Sequence, residues 1–297
     1  MSMRMKIGLA LAAVAVLAAA AIWLRGVRLT ARIDTPEAAD APVIPLLDIF
    51  YERGNFLDAQ AAVASTKPQT GVRAVVVPHH LLASRFVADA LTRARGTKYK
   101  TVVVVGPNHD NRGPDLVSSS AVSYVTPYGK ILPDEKKIAD LRQLFSCHSD
   151  ATVFLPEHAV GAMVTQIALD FPGAKIVPVI LSSRAKEGEA LRLATWLAGL
   201  PADTLVVFSV DFSHYLTSDA AALKDRETAT ALAARDEATI GQWGNDHIDS
   251  PFTIVTMLEF ANKIGAKLEI ADHGNANDFL TVKAVSTTSY FEIIVSQ

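Results

Sequence analysis

The chain has 297 residues, half of them hydrophobic and a fifth charged, with a formal net charge of −3. That suffices for one large α/β domain or two smaller ones, and it offers no basic stripe for nucleic acid. The single cysteine, Cys147, excludes an intrachain disulfide and a cysteine-rich zinc site.

The first predicted element is the apolar run Ile7–Leu24, which contains no charged residue. At 1.5 Å rise per residue, a helix of this length just crosses the hydrocarbon core. Arg4 and Lys6 precede it, and Arg25, Arg28 and Arg32 follow. The run ends in Ile22-Trp23-Leu24-Arg25, a poor context for signal cleavage, whereas Trp23 suits a membrane interface. Residues 1–30 therefore read as an uncleaved single-pass anchor that contacts the membrane through 7–24, with the remainder on the periplasmic, extracytoplasmic side. Residues 31–44, with Pro36 and Pro42, read as a tether, and 45–297 as the folded domain. Leu46–Phe50 and Phe56–Ala64 read as short helices at its edge.

From Val72 the pattern is regular. Val72–Val77 is a strand, Leu82–Arg95 an amphipathic helix and Lys100–Val105 a strand. One helix joining two strands predicts a right-handed crossover with the two strands as parallel neighbours. Leu116–Ser120 and Val122–Val125 are β-like, and Lys130–Leu132 pairs back across the turn Thr126-Pro127-Tyr128-Gly129. Asp134 caps a helix to Phe145. Further helices are expected over Glu157–Phe171, Glu187–Leu200, Thr217–Arg235 and Pro251–Ile264, the last with Pro251 in its first turn and Gly265 just past its end. Strands are expected over Ile176–Leu181, Thr204–Val210, Lys267–Ala271 and Thr288–Val295. The expected fold class is α/β: a single domain with a mostly parallel central sheet flanked by helices, preceded by an N-terminal transmembrane helix.

Three of these strands end in histidine. Thr101-Val-Val-Val-Val stops at Gly106-Pro107 and delivers Asn108-His109; Val75-Val76-Val77-Pro78 delivers His79-His80; Leu205–Val210 delivers Asp211-Phe212-Ser213-His214. Ligands of open α/β sheets sit at the carboxyl ends of the strands. Neutral imidazole is the commonest metal ligand, and two or three imidazoles with open positions suit catalytic Fe, Zn or Cu. His79 and His80 point opposite ways in an extended chain, and Pro78 favours His79 as the inward one. Asp211 is placed either to hold a histidine's tautomer or to cap a helical turn. Ser213 adjoins His214 in sequence and lacks the G-x-S-x-G elbow, which argues against a serine hydrolase. Glu157 suits a helix start whether or not it and His158 also line the crevice. His247 precedes the helix at Pro251. His148 and His273 read as solvent-side residues.

Taken together, Val77-Pro78-His79, Gly106-Pro107-Asn108-His109, Thr126-Pro127-Tyr128-Gly129, Glu157-His158 and Asp211-Phe212-Ser213-His214-Tyr215 resemble, in order and spacing, the Memo-like family, also called AmmeMemoRadiSam system protein B. The resemblance spans about residues 45–297. It implies a fold similar to class III extradiol dioxygenases, with His79 and His109 as metal ligands and His214, with Asp211, as the acid/base pair. The family's third ligand is usually a cysteine in a Cys-Gly-Arg-x-Pro-like run, and aligning that run on Pro251 puts His247 there. Asn108, His80, Glu157 and His158 would line the pocket. A divalent metal is implied, Fe or Cu foremost and Zn next. So are an unidentified small-molecule or peptide ligand and, as system partners, radical SAM and AMMECR-type proteins. Three activities stay open: dioxygenase-like redox chemistry, a non-catalytic binding module, and a metal-dependent hydrolase. The chain departs from the family where His80-Leu81-Leu82 replaces Ala-Gly-Tyr after Pro-His, and where Gly161 replaces the second glutamate of Glu-His-Ser-x-Glu.

Overall fold

The computed structural model describes residues 43–297. In chain order the strands are β1 (Ile44–Leu47), β2 (Val72–Val77), β3 (Thr101–Asn108), β4 (Val117–Ser118), β5 (Val122–Thr126), β6 (Gly129–Ile131), β7 (Lys175–Ser182), β8 (Thr204–Ser209), β9 (Lys267–Asn275) and β10 (Ser289–Ser296). The helices are α1 (Arg53–Ala62), α2 (Ser84–Ala94), α3 (Glu135–Phe145), α4 (His158–Asp170), α5 (Glu187–Ala198), α6 (Ser218–Ala234), α7 (Glu237–Ile240), α8 (Pro251–Lys263) and α9 (Ala276–Phe279).

Seven strands form the central sheet in the order β4-β7-β3-β8-β2-β10-β9. The inner pairs β7–β3, β3–β8 and β8–β2 are parallel. The outer pairs β4–β7, β2–β10 and β10–β9 are antiparallel. The expected α/β class is thus corrected in one respect: the sheet is mixed rather than mostly parallel. Among the described residues no helix is long and apolar enough to cross a membrane; the membrane-spanning helix expected over 7–24 lies outside them, as do 31–42 of the expected tether.

The crossover from β2 to β3 also differs from expectation. The two strands are parallel, but β8 lies between them. All six residues of β8 are buried, and a strand of that kind needs hydrogen-bonding neighbours on both edges. Leu46–Phe50, expected as a helix, begins in β1, which runs parallel to β5 in a small second sheet with β6. A four-residue strand with one buried side chain and Pro45 suits an edge position.

Alternation along the central strands feeds two cores. Val75, Val77, Val102 and Val104 pack with Val87 and Leu91 of α2 and Met163 and Ile167 of α4. Ala74, Val76, Val103 and Val105 pack on the other face with Leu193 of α5 and Ile254 and Leu258 of α8. The result is a helix–sheet–helix sandwich.

Glu292 of β10 is a carboxyl inside this structure, with Arg93 Nε 3.4 Å from its Oε1. Burial, and then the nearby Asp89, push its pKa from the ordinary 4.5 up to about 9, against the pull of Arg93. The folded state then holds a proton the unfolded chain releases, so stability falls as pH rises from 4.5 to about 9 and levels off above. Glu292→Gln is expected to raise the unfolding free energy by about 2 kcal/mol at pH 8 and to leave it unchanged near pH 4. Urea titrations at the two pH values check this; equal gains at both would exclude titration of Glu292 as the cause.

Candidate metal centre

The neighbouring strands β3, β8 and β2 end side by side, with Val77 in register with Ser209 and Val105 with Phe208. Their carboxyl ends open on one crevice, and each supplies a histidine to it.

His79 follows β2 and is 3% exposed. Its backbone N–H donates to Asp211 Oδ1 at 3.0 Å, and that of His80 donates to the same oxygen at 3.4 Å. In the ring, Nδ1 lies 3.2 Å from Ser209 Oγ. Nε2 faces two carboxylates, Asp249 Oδ2 at 3.1 Å and Asp211 Oδ2 at 3.6 Å. Burial opposes protonation of this ring, but the charges of Asp211 and Asp249 outweigh it and push its pKa up to about 9. The pocket around His79 is thus built for positive charge.

His109 is held by one carboxylate at two points. Glu157 accepts its backbone N–H at 2.9 Å and sits 2.7 Å from Nδ1. The same side chain caps α4 by accepting the Ala159 N–H at 2.9 Å. Burial raises the Glu157 pKa, yet the bonds from His109 and the backbone bring it below the usual glutamate value. An ionised Glu157 accepts a hydrogen bond from Nδ1–H and leaves Nε2 of His109 to face the crevice, the arrangement of a carboxylate–histidine–metal relay.

His158 opens α4 and stacks on His109, with centroids 3.9 Å apart and 23° between planes. It meets His79 edge-on at 4.9 Å, and His79 meets His109 at 4.8 Å. Burial, followed by the charges of His79 and His109, holds its pKa down to about 4, so its ring is neutral and free to ligate. One nitrogen from each of His79, His109 and His158 lies within 4.8 Å of the others. Three imidazoles ringed by Asp211, Asp249 and Glu157 make a donor set that fits a divalent transition ion.

The other expected site residues are placed as follows. His247 does not join the three rings. A turn, in which the N–H groups of His247 and Ile248 donate to Gly244 O, sends its ring away, to stack on Trp243 at 4.2 Å and meet Glu227 Oε2 at 2.7 Å. Asp211 serves the His79–His80 segment, where the sequence suggested service to His214. His214 shares a cavity of about 390 Å³ with His79, His80, His158 and Asp211, and its Nδ1 is buried without a hydrogen-bond partner. His80 Nδ1 lies 2.7 Å from Tyr290 Oη. The Asn108 amide closes a loop on the backbone of Arg112. Ser213 is fully buried and donates to Asp225, which also accepts from Ser289 and pairs with His273. That network anchors the loop carrying Asp211 and His214.

Sequence reasoning missed Ser209, Asp249 and Phe50. Ser209 had a signal, since it ends a strand that faces the crevice. Asp249 lies in the loop searched for a ligand, but the turn at Gly244 that rotates it inward is invisible in a pattern of residues. Phe50 had none. Its ring lies 6.2 Å from His158 and occupies the space left by the missing side chain of Gly161.

A family model described as Memo-like protein matches residues 52–294. A MEMO1 family protein of Caldivirga maquilingensis is 26% identical over 220 residues, covering 70% of this chain and 77% of its own. Another, of Thermoplasma volcanium, is 24% identical over 235 residues, covering 74% and 81%. Among solved structures, an uncharacterized protein, JW3007, of Escherichia coli K12 superposes with a TM-score of 0.49 at 12% identity, covering 74% of this chain and 99% of that one.

Proposed function

This chain belongs to the Memo-like protein family, and on that premise we propose that it is a metal-dependent oxidoreductase acting on a small molecule, with one divalent ion held by His79, His109 and His158. The observation that carries the reading is the group of three imidazoles within 4.8 Å of one another, set among carboxylates and bordered by a cavity. Iron or copper bound there would supply Lewis acidity and a redox couple, whereas zinc would supply Lewis acidity alone.

The chain's own groups then divide the work. Glu157 and Ser209 fix the His109 and His79 rings. Phe50, Leu81 and Ala162 form an apolar wall of the cavity shared by His158 and His214, which limits water at the site. His214, which lines the same cavity, takes or gives a proton there.

Protein stripped of metal and titrated with Fe(II), Cu(II) or Zn(II) is expected to retain one equivalent of iron or copper after desalting. The loaded protein is expected to consume oxygen in the presence of ascorbate. His214→Ala should keep the metal and lose about 99% or more of the uptake, the roughly 100-fold floor expected for loss of a proton-transfer group. Retention of zinc alone would favour metal-dependent hydrolysis on the same histidines. Retention of no metal would remove the oxidoreductase reading.

A further inference from the structure

Asp249 brings a carboxylate into the crevice with only 8% of its side chain exposed. A charge buried to that degree is costly unless it is paired or binds a metal. One oxygen is engaged: Oδ2 lies 3.1 Å from His79 Nε2 and 3.9 Å from His109 Nε2. The other, Oδ1, is buried with no hydrogen-bond partner. Asp249 also lines, with His109, a cavity of about 490 Å³.

The backbone holds this residue firmly. Ile248 bridges antiparallel to Phe212. The Asp249 N–H donates to Asp211 O at 3.1 Å. Its side chain is thereby fixed against the loop that supports His79. Oδ2 also accepts the Asp211 N–H at 3.3 Å, whereas Oδ1 keeps no protein partner. Donor atoms bonded to one ion at about 2.0–2.2 Å lie roughly 3 Å apart when adjacent in its coordination shell. The 3.1 Å separation of Asp249 Oδ2 from His79 Nε2 matches that spacing.

We propose that Asp249 is a direct ligand, making the centre a three-histidine, one-carboxylate site. The proposal rests on the metal reading above and adds a hard oxygen donor to it. The loop before α8 thus contributes Asp249 to the metal, while His247 two residues earlier faces Trp243 and Glu227. An anionic oxygen ligand cancels one charge of a divalent ion and favours Fe(II), Co(II) and Zn(II) over Cu(I), which prefers soft donors.

Co(II) titration of the full metal-free chain, followed by visible absorption, tests it. Wild type is expected to bind one equivalent with the spectrum of a low-coordinate Co(II) centre. Asp249→Asn, which keeps the shape, is expected to bind at least 100-fold more weakly with altered band positions, a larger loss than an outer-shell partner causes. An affinity within threefold of wild type and the same spectrum would overturn the proposal, as would tighter binding, the outcome if Asp249 only paired with His79. Should Asp249→Asn fail to fold by circular dichroism, Asp249→Glu keeps the charge and moves the oxygens. It is expected to shift the Co(II) bands, and a wild-type spectrum would overturn the proposal. Wild type that binds no Co(II) would overturn the three-histidine reading and this proposal together. Wild-type binding with an unaffected Asp249→Asn would overturn this proposal alone.

Discussion

The double substitution His79→Ala, His109→Ala is expected to weaken divalent-metal binding by more than 1,000-fold, a loss above about 4 kcal/mol. Removing an outer-shell partner of a ligand costs about 10–100-fold, so removing two ligands must cost more. His158 alone remains of the three rings, and His247 is engaged with Trp243 and Glu227. Competition with a chromophoric chelator gives the affinity. His148→Ala is the control, because that exposed ring pairs with Asp115 and lies outside the three-ring group; its affinity should stay within twofold of wild type. An equal loss in the control would point to general unfolding, and no loss in the double variant would remove the site.

Gly106→Val is expected to cost more than 3 kcal/mol of stability or to prevent folding. A Cβ at Gly106 would stand 2.7 Å from Ala159 Cβ and 3.0 Å from Ser209 O. Valine adds two further carbons at a point where α4 crosses β3, and overpacking of this kind moves backbone. The clash bears on function because Gly106 lies three residues before His109, and Ala159 directly follows His158. Forcing them apart separates two of the three rings. Gly106→Ala should fall between wild type and valine, at about 1–3 kcal/mol. Ala159→Gly should recover part of that loss by removing the facing methyl. Urea unfolding of the four proteins measures it; a valine variant with the wild-type midpoint would show that the close approach is not needed.

What the sequence made legible follows from what patterns encode. Hydrophobic runs before Gly106-Pro107 and Pro78 report buried strands, although β3 does not stop at Gly106-Pro107 as expected but pairs with β7 as far as Asn108. That is why His79 and His109 could be singled out and why the structure brings them together. Burial does not report which strand lies beside which, so the insertion of β8 between β2 and β3 could not be read from Thr204–Ser209. Nor does it report direction, so antiparallel β10 and β9 completed a sheet expected to be mostly parallel. Helix against strand was undecidable for Ile44–Leu47, which is too short to show a period. In the site, the errors trace to loops. One turn at Gly244 separates His247 from Asp249 in direction, and the family resemblance aligned the former to a ligand position. His158 was legible as a pocket residue through Glu157-His158. Its role as third ring depends on the close crossing of α4 over Gly106, which only the packed structure displays.

The position of a bound metal tests the three-imidazole centre most directly. Crystals of the chain purified without a histidine tag and soaked in Zn(II) or Fe(II) would give an anomalous difference map at the metal edge. The predicted result is one strong peak about 2.0–2.2 Å from a ring nitrogen of each of His79, His109 and His158. A peak at His247 and Glu227 instead, or full metal occupancy with none at the three rings, would contradict it.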